Sequence, residues 1–135
     1  MENASLPVNC PIARFVFSES QISRQNNRVK DGAFLPIFSK ENNRWETSVF
    51  RVDGLAPQDV VDLGVREVES KRQTPPLRLL AWGENSSQDY ADQKLTMRVD
   101  EPPHRHKVAL GWPVEKDKQK IIAKQIARHS TLHLR

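Results

Sequence analysis

The sequence predicts a single small α+β domain with a mostly antiparallel or mixed sheet, a basic amphipathic C-terminal helix and two shorter helices. At 135 residues the chain is long enough to enclose one hydrophobic core. Nine prolines divide it into short segments, which argues against a helical bundle. We expect residues 1–12 to form an N-terminal arm and residues 13–135 to form the domain.

Several short runs have the residue types or the alternation of β-strands. The run at 13–17 is β-branched and aromatic, and the run at 94–99 alternates apolar and polar side chains. Pro36 interrupts the apolar run at 33–38, which predicts an edge or irregular segment. Residues 77–82 are the most apolar run and predict a central strand. The complete set of strand predictions covers residues 13–17, 33–38, 45–52, 65–68, 77–82, 94–99 and, as the last strand, 106–111.

Two short helices are predicted from their end signals. Residues 54–64 carry a proline suited to the first turn and Gly64 suited to a left-handed end. Residues 85–93 predict a helix capped by Ser86 or Ser87, with an aspartate in its first turn. The polar stretches between the elements predict surface loops, which often carry binding residues. The two longest are residues 18–32 and 70–76.

The positive charge of the chain is concentrated at its C-terminus. The net charge is +4, yet residues 1–114 hold fifteen basic and fifteen acidic side chains. The excess therefore lies in residues 115–135, which comprise the final helix predicted at 115–130 and the tail that follows it. We expect the apolar side of this helix to dock on the sheet. That side consists of Ile121, Ile122 and Ile126.

Four residues near the C-terminus are the candidate binding residues. Lys120, Lys124 and Arg128 follow one another at intervals of four, so they lie along one stripe of a helix. Such a stripe can bind phosphates, although it is also the ordinary solvated face of an amphipathic helix. Trp112, in a Gly-Trp-Pro turn, is the tryptophan that we expect to be exposed and to contact a partner.

The four histidines form two pairs with spacings that metal sites use. His104 and His106 are two residues apart and would share one face of an extended segment, whereas His129 and His133 have helical spacing. No third ligand accompanies either pair in the sequence. We therefore expect surface histidines, no metal site and no cofactor.

His106 also belongs to an alternative, catalytic hypothesis. His106 and Arg51 lie on predicted strands and, with Arg14, would line a pocket for a phosphate or carboxylate. Ser48 and Arg51 are separated by an odd number of residues, so a catalytic cluster of Ser48, Arg51 and His106 is disfavoured. Otherwise Arg51 pairs with a neighbouring acid, either Asp53 or Glu67.

The sequence predicts a cytoplasmic protein. Its N-terminus has neither the basic nor the apolar region of a signal peptide, and no apolar run approaches the ~20 residues of a membrane span. Cys10 is the single cysteine, which favours a reducing compartment. We interpret it as a small, partly buried apolar residue rather than a nucleophile.

Four segments resemble a group of short uncharacterised bacterial proteins, and together they extend over most of the chain. The resemblance concerns the fold and implies no activity. The segments are Ala33-Phe34…Pro36, Ser48-Val-Phe-Arg51, Leu55…Leu63-Gly64 and His106…Gly111-Trp-Pro113.

These observations favour a non-enzymatic accessory or binding protein. Its titratable residues are scattered, and the one polarised feature is the basic helix. We expect a protein partner before nucleic acid, and no membrane. The alternative is a small RNA- or nucleotide-directed hydrolase or nuclease that uses His106 with Arg51 or Arg14.

Overall fold

An antiparallel sheet of seven strands forms the centre of the molecule in the computed structural model, which describes residues 9–71 and 77–135. The strand order is β7–β8–β5–β1–β6–β9, with β4 beside β5, and β2 and β3 form a separate hairpin. The strands are β1 (Pro11–Val16), β2 (Ile22–Ser23), β3 (Arg28–Val29), β4 (Ile37–Ser39), β5 (Arg44–Arg51), β6 (Ala81–Ser86), β7 (Thr96–Val99), β8 (His106–Leu110) and β9 (Thr131–Leu134). The helices are α1 (Pro57–Glu67), α2 (Ser87–Ala91) and α3 (Lys116–His129). The predicted α+β class is confirmed.

The sheet is covered on both faces, because the side chains of its central strands alternate between two cores. Along β1, Ile12 and Val16 belong to the core that contains α3, whereas Ala13 and Phe15 belong to the core that contains α1. All four are buried. This alternation is the two-residue period of a strand applied to a sheet with helices on both sides.

Helix α1 continues through Gly64 to Glu67, so the predicted stop at Gly64 and the predicted strand at 65–68 are wrong. Gly64 serves close packing instead of a left-handed turn. A Cβ atom at this position would lie 2.8 Å from the Phe15 ring and 2.9 Å from Leu79. The glycine thus brings the helix backbone against the sheet.

The second half of the sheet also differs from the prediction. The strand predicted at 77–82 is β6, which begins at Ala81 and lies next to the edge strand β9 instead of at the centre. Strand β9 was not predicted, and consequently β8 is not the last strand. Strand β9 pairs with β6, with Leu132 opposite Gly83, and Leu132 is buried. The short Thr131–Leu134 segment alternates, but its position at the chain end suggested only the end of a helix.

The cap predicted for α2 is confirmed. The Ser86 hydroxyl accepts a hydrogen bond from the Gln88 N–H at 3.1 Å, and the Asp89 carboxylate accepts one from the Ser86 N–H at 3.1 Å. This reciprocal arrangement is a capping box. The preceding residue, Asn85, is buried and donates from its side-chain amide to the Ile126 carbonyl at 2.9 Å, which ties β6 to α3.

The N-terminal third contains more structure than a loop. Within residues 18–32 the β2–β3 hairpin lies against the α3 side of the sheet, where Val29 is buried. The segment at 33–38 is irregular, as predicted, and ends in β4. Strand β1 begins at Pro11, inside the predicted arm. Residues 1–8 of that arm and residues 72–76 of the predicted polar loop lie outside the described residues.

Helix α3 docks on the sheet with a different set of side chains from the one predicted. Ile126 is buried and Ile122 is partly buried, but Ile121 is 62% exposed, so its assignment to the apolar face is wrong. The helix turns Ala123 and Ala127 to the core instead, which brings its backbone close to the sheet.

We predict that Gly64→Ala destabilises the protein although alanine is the better helix former. The added methyl group overlaps the Phe15 ring, and overpacking of this kind costs about 1–3 kcal/mol, more than the roughly 1 kcal/mol of helix propensity gained. Urea unfolding monitored by circular dichroism measures the difference. Asp62→Ala, at an exposed position of the same helix, is the control. An increase in the unfolding free energy of Gly64→Ala would contradict the packing argument.

Candidate functional site

Ser48 and His106 meet on the face of the sheet that carries the α1-side core. In the β5–β8 pairing Phe50 lies opposite His106 and Ser48 lies opposite Val108, so Ser48 and His106 are diagonal neighbours. The Ser48 hydroxyl is hydrogen bonded to Nε2 of His106. The imidazole packs against the Phe50 ring, with ring centroids 5.1 Å apart. A hydroxyl and a base are therefore in direct contact at the surface of a rigid sheet.

The other ring nitrogen of His106 determines which way this hydrogen bond runs. Nδ1 lies 2.8 Å from the main-chain carbonyl oxygen of Asp100, which follows β7. A carbonyl oxygen only accepts, so Nδ1 carries the proton and neutral His106 presents the lone pair of Nε2 to Ser48. The Asp100 carboxylate lies 3.3 Å from Nδ1 and would stabilise the imidazolium ion. This is the order of groups that activates a serine hydroxyl.

Ser48 opens onto a cavity of about 290 Å³. Strand β1 pairs with β5 only at Ile12 and Ala13, and beyond them the two strands separate. Arg14 lies at this separation and donates hydrogen bonds to the carbonyl oxygens of Ser48, at 2.8 Å, and Ala33, at 2.7 Å. The cavity wall is mixed, because six of its ten lining residues are apolar and four are polar. Its lining consists of Arg14, Phe15, Phe17, Ser18, Gln21, Ile37, Ser48, Phe50, Val68 and Leu77.

Arg51 lies on the opposite face of β5 from Ser48 and His106. The prediction that Arg51 and His106 line one pocket is therefore wrong. It donates to the Asp53 carboxylate at 2.9 and 3.0 Å, one of the two acid pairings predicted for it. Arg105 donates to the main-chain carbonyl of Asp53 at 3.0 Å. Burial raises the pKa of Asp53, but the hydrogen bonds and charge of Arg51 outweigh it and hold that pKa below its usual range.

The histidines do not form the two predicted pairs. Arg105 has a positive φ of 73°, so the segment from His104 to His106 is a turn and not an extended strand. His129 ends α3, whereas His133 is on β9, where it stacks on the Trp82 ring at 4.8 Å. Within residues 9–71 and 77–135, no three His, Cys, Asp or Glu side chains are grouped so as to hold a metal ion.

Trp112 is buried, with 7% of its surface exposed, which corrects the prediction that it contacts a partner. Its indole N–H donates to the Ala109 carbonyl at 3.1 Å. The turn that holds it therefore closes the end of the α3-side core.

Lys120, Lys124 and Arg128 are exposed along α3 as the helical spacing requires. Lys124 also lines a groove of about 370 Å³ between α3 and the β2–β3 hairpin, opposite Arg28 and Lys30. We call this the basic groove. The hairpin residues belong to a stretch that the sequence presents only as a loop.

Ser48, His106 and Asp100 form what we call the serine site. The sequence does not single out two of these residues, Ser48 and Asp100. The odd spacing correctly separates Ser48 from Arg51, but no pattern pairs Ser48 with His106 or singles out Asp100. Alternation already places Ser48 and Phe50 on one face of β5. The contact with His106 additionally requires the β5–β8 register, which depends on pairing between distant segments.

Comparisons with protein-family models, with curated proteins and with solved structures find no significant match to this chain. Across the part of the chain that the structure describes, no helix has the length and apolar character needed to cross a membrane.

We predict that Cys10 is unreactive in the folded protein. The thiol is 3% exposed, and its burial, together with the Asp53 carboxylate 3.6 Å away, raises its pKa. A raised pKa leaves less thiolate at a given pH. Alkylation by iodoacetamide near pH 8 should be about 100-fold slower than in urea-unfolded protein. Equal rates in the two states would contradict the burial of Cys10.

Proposed function

We propose that this protein is a hydrolase of small esters in which Ser48 is the nucleophile and His106 is the general base. The contact of the Ser48 hydroxyl with Nε2 of His106 carries the proposal. The Asp100 carbonyl supports it, because it keeps the proton on Nδ1 and leaves Nε2 free to accept one. The unpaired Cys10 supports the cytoplasmic location as part of the same proposal.

The reaction would proceed in two balanced halves. Ser48 Oγ forms a bond to the carbonyl carbon of the ester while its proton moves to Nε2 of His106. The C–O bond to the leaving alcohol then breaks, and His106 returns the proton to that alcohol oxygen. Water attacks the acyl-serine in the same manner, gives its proton to His106, and releases a carboxylic acid as Ser48 recovers its proton.

The cavity beside Ser48 suggests the kind of substrate. Three phenylalanines contribute to its wall, so an apolar or aromatic acyl group would be buried favourably. Arg14 adds a positive charge at the wall and favours a substrate with an anionic or strongly polar group. A volume of about 290 Å³ suits a small molecule.

The nucleotide- or RNA-directed hydrolase that the sequence suggested shares His106 and Arg14 with this proposal. Its second arginine, Arg51, is engaged with Asp53 on the other face. The three phenylalanines of the cavity wall favour carboxylic esters of apolar acids, and phosphate esters form the comparison substrate. The binding function expected from the C-terminal helix is a second candidate, favoured by the separate basic groove.

We predict that a fluorophosphonate probe labels Ser48. The probe phosphonylates Ser48 Oγ and releases fluoride, while His106 takes the proton. Tandem mass spectrometry identifies the modified residue. Ser48→Ala and His106→Gln should abolish labelling and lower hydrolysis of a p-nitrophenyl butyrate substrate by about 1,000-fold or more. Faster turnover of p-nitrophenyl phosphate than of the butyrate would instead indicate phosphate esters.

Two control variants separate catalysis from folding. Ser18→Ala removes another hydroxyl of the same cavity that does not contact His106, and it should be labelled like the unmodified protein. Asp100→Asn keeps the main-chain carbonyl that orients His106, so its loss should be smaller, on the order of 10-fold. Thermal melts should be similar for all variants. Absence of labelling in the folded, unmodified protein would refute the proposal and leave the Ser48–His106 contact a cross-strand pair that supports the sheet.

A further inference from the structure

The basic groove lies between two elements that are far apart in the sequence. The hairpin side is formed by Arg28, Lys30, the β2 residue Ser23 and the turn residue Asn26, and Lys124 contributes from α3. The buried Val29 and Ala127 form its floor. Because both floor residues belong to the α3-side core, the hairpin is held at a defined position on the helix.

The charges of the groove are largely unopposed. Asp31 is the single acidic residue among its lining residues. No ion pair of Arg28, Lys30 or Lys124 occurs among the described residues, although cations such as Arg24 and Arg44 elsewhere on the surface do form ion pairs.

Helix α3 extends this positive surface along its axis. Lys120 and Arg128 lie four residues before and after Lys124, about 6 Å along the helix in each direction. Both are exposed. The groove and its flanks thus present five cations, contributed by two elements, to a single ligand.

The composition of the lining distinguishes between two classes of polyanionic ligand, acidic proteins and nucleic acids. Protein interfaces are centred on apolar or aromatic anchors, whereas nucleic-acid interfaces are polar and strongly positive. The apolar residues of this groove are buried in its floor, and its lining contains no aromatic residue. Arg, Lys, Asn and Ser side chains are all donors to phosphate oxygens.

We propose that the basic groove binds the sugar–phosphate backbone of a single nucleic-acid strand without reading its sequence. A groove of about 370 Å³ between a hairpin and a helix accommodates one strand better than a duplex. The absence of aromatic side chains from the lining removes base stacking, so the affinity rests on phosphate contacts. The proposal is independent of the serine site.

Salt dependence provides the first test. Fluorescence anisotropy is measured with labelled oligo(U) and oligo(dT) between about 50 and 200 mM salt. Three to five phosphate contacts predict a slope of log K against log salt of about −2 to −3.5, from roughly 0.7 per contact on a single strand. The affinities for oligo(U) and oligo(dT) should be similar, and an annealed duplex should bind more weakly. No binding at the lower salt concentration overturns the proposal.

A charge-matched pair of variants provides the second test. Arg28→Glu with Lys124→Glu reverses one cation on each side of the groove and should weaken binding roughly 100-fold at low salt. Lys116→Glu with Lys118→Glu makes the same change in net charge at exposed positions of α3 outside the groove, and should have a much smaller effect. Equal losses for the two pairs would show attraction to net charge alone and overturn the proposal.

Two further measurements separate this proposal from the alternatives. Ser48→Ala should leave oligonucleotide affinity unchanged, so failure of either function does not decide the other. Polyglutamate represents an acidic protein, and Ile121→Ser removes the exposed apolar side chain of α3. If polyglutamate binds in preference to the oligonucleotides, the groove is a protein-docking surface and the nucleic-acid proposal is wrong. If Ile121→Ser abolishes oligonucleotide binding, the contact depends on an apolar residue outside the groove, and the proposal is wrong for that reason.

Discussion

Strand β5 pairs with β1, β4 and β8, and its register determines where the functional side chains of the sheet lie. Thr47 and Val49 point to the α3 side of the sheet and are buried, whereas Ser48 and Phe50 point to the α1 side. The pairing with β1 ends after two residue pairs, because β4 lies on that side of the other half of β5. Carbonyl groups left without a strand partner at such a separation are costly to bury. The guanidinium group of Arg14 donates to one of them, the Ser48 carbonyl, and also to the Ala33 carbonyl outside the sheet, and the same separation opens the cavity beside Ser48.

The serine site is held by strands β5 and β8 and by Asp100, the residue that directly follows β7. His106 is on β8, its ring rests on Phe50, and its Nδ1–H is tied to the main-chain carbonyl of Asp100. The backbone N–H of Asp100 in turn donates to the His106 carbonyl at 3.1 Å, so the donor and acceptor of the imidazole are set by the sheet pairing itself. Groups fixed in this way need little reorganisation when a proton moves, and such preorganisation is what a catalytic hydrogen bond requires. The side chain of Asp100 contributes charge, while its main chain contributes orientation.

The basic groove has a different physical origin. The first 114 residues have no net charge, yet two of their cations line the basic groove, because the β2–β3 hairpin docks beside α3. Local potential depends on which charges are neighbours in space and on whether acids neutralise them. Arg28 and Lys30 reach the groove because Val29, the buried residue between them, packs into the core and positions the hairpin.

Local signals in the sequence determined much of the architecture. β-Branched and aromatic residues located β1, two-residue alternation located β5 and β7, and the run after Pro103 located β8. The Ser86–Asp89 cap located α2 and the 3.6-residue period located α3, because each signal involves residues close together in the chain. Tertiary packing decided the rest. Gly64 lies inside helix α1 as a packing residue, because the Phe15 ring leaves no space for a side chain there. Strand β9 forms because β6 offers it an edge with which to pair. The Ser48–His106 contact and the basic groove depend on strand register and hairpin docking. Both are set by burial between distant segments, which no local pattern records.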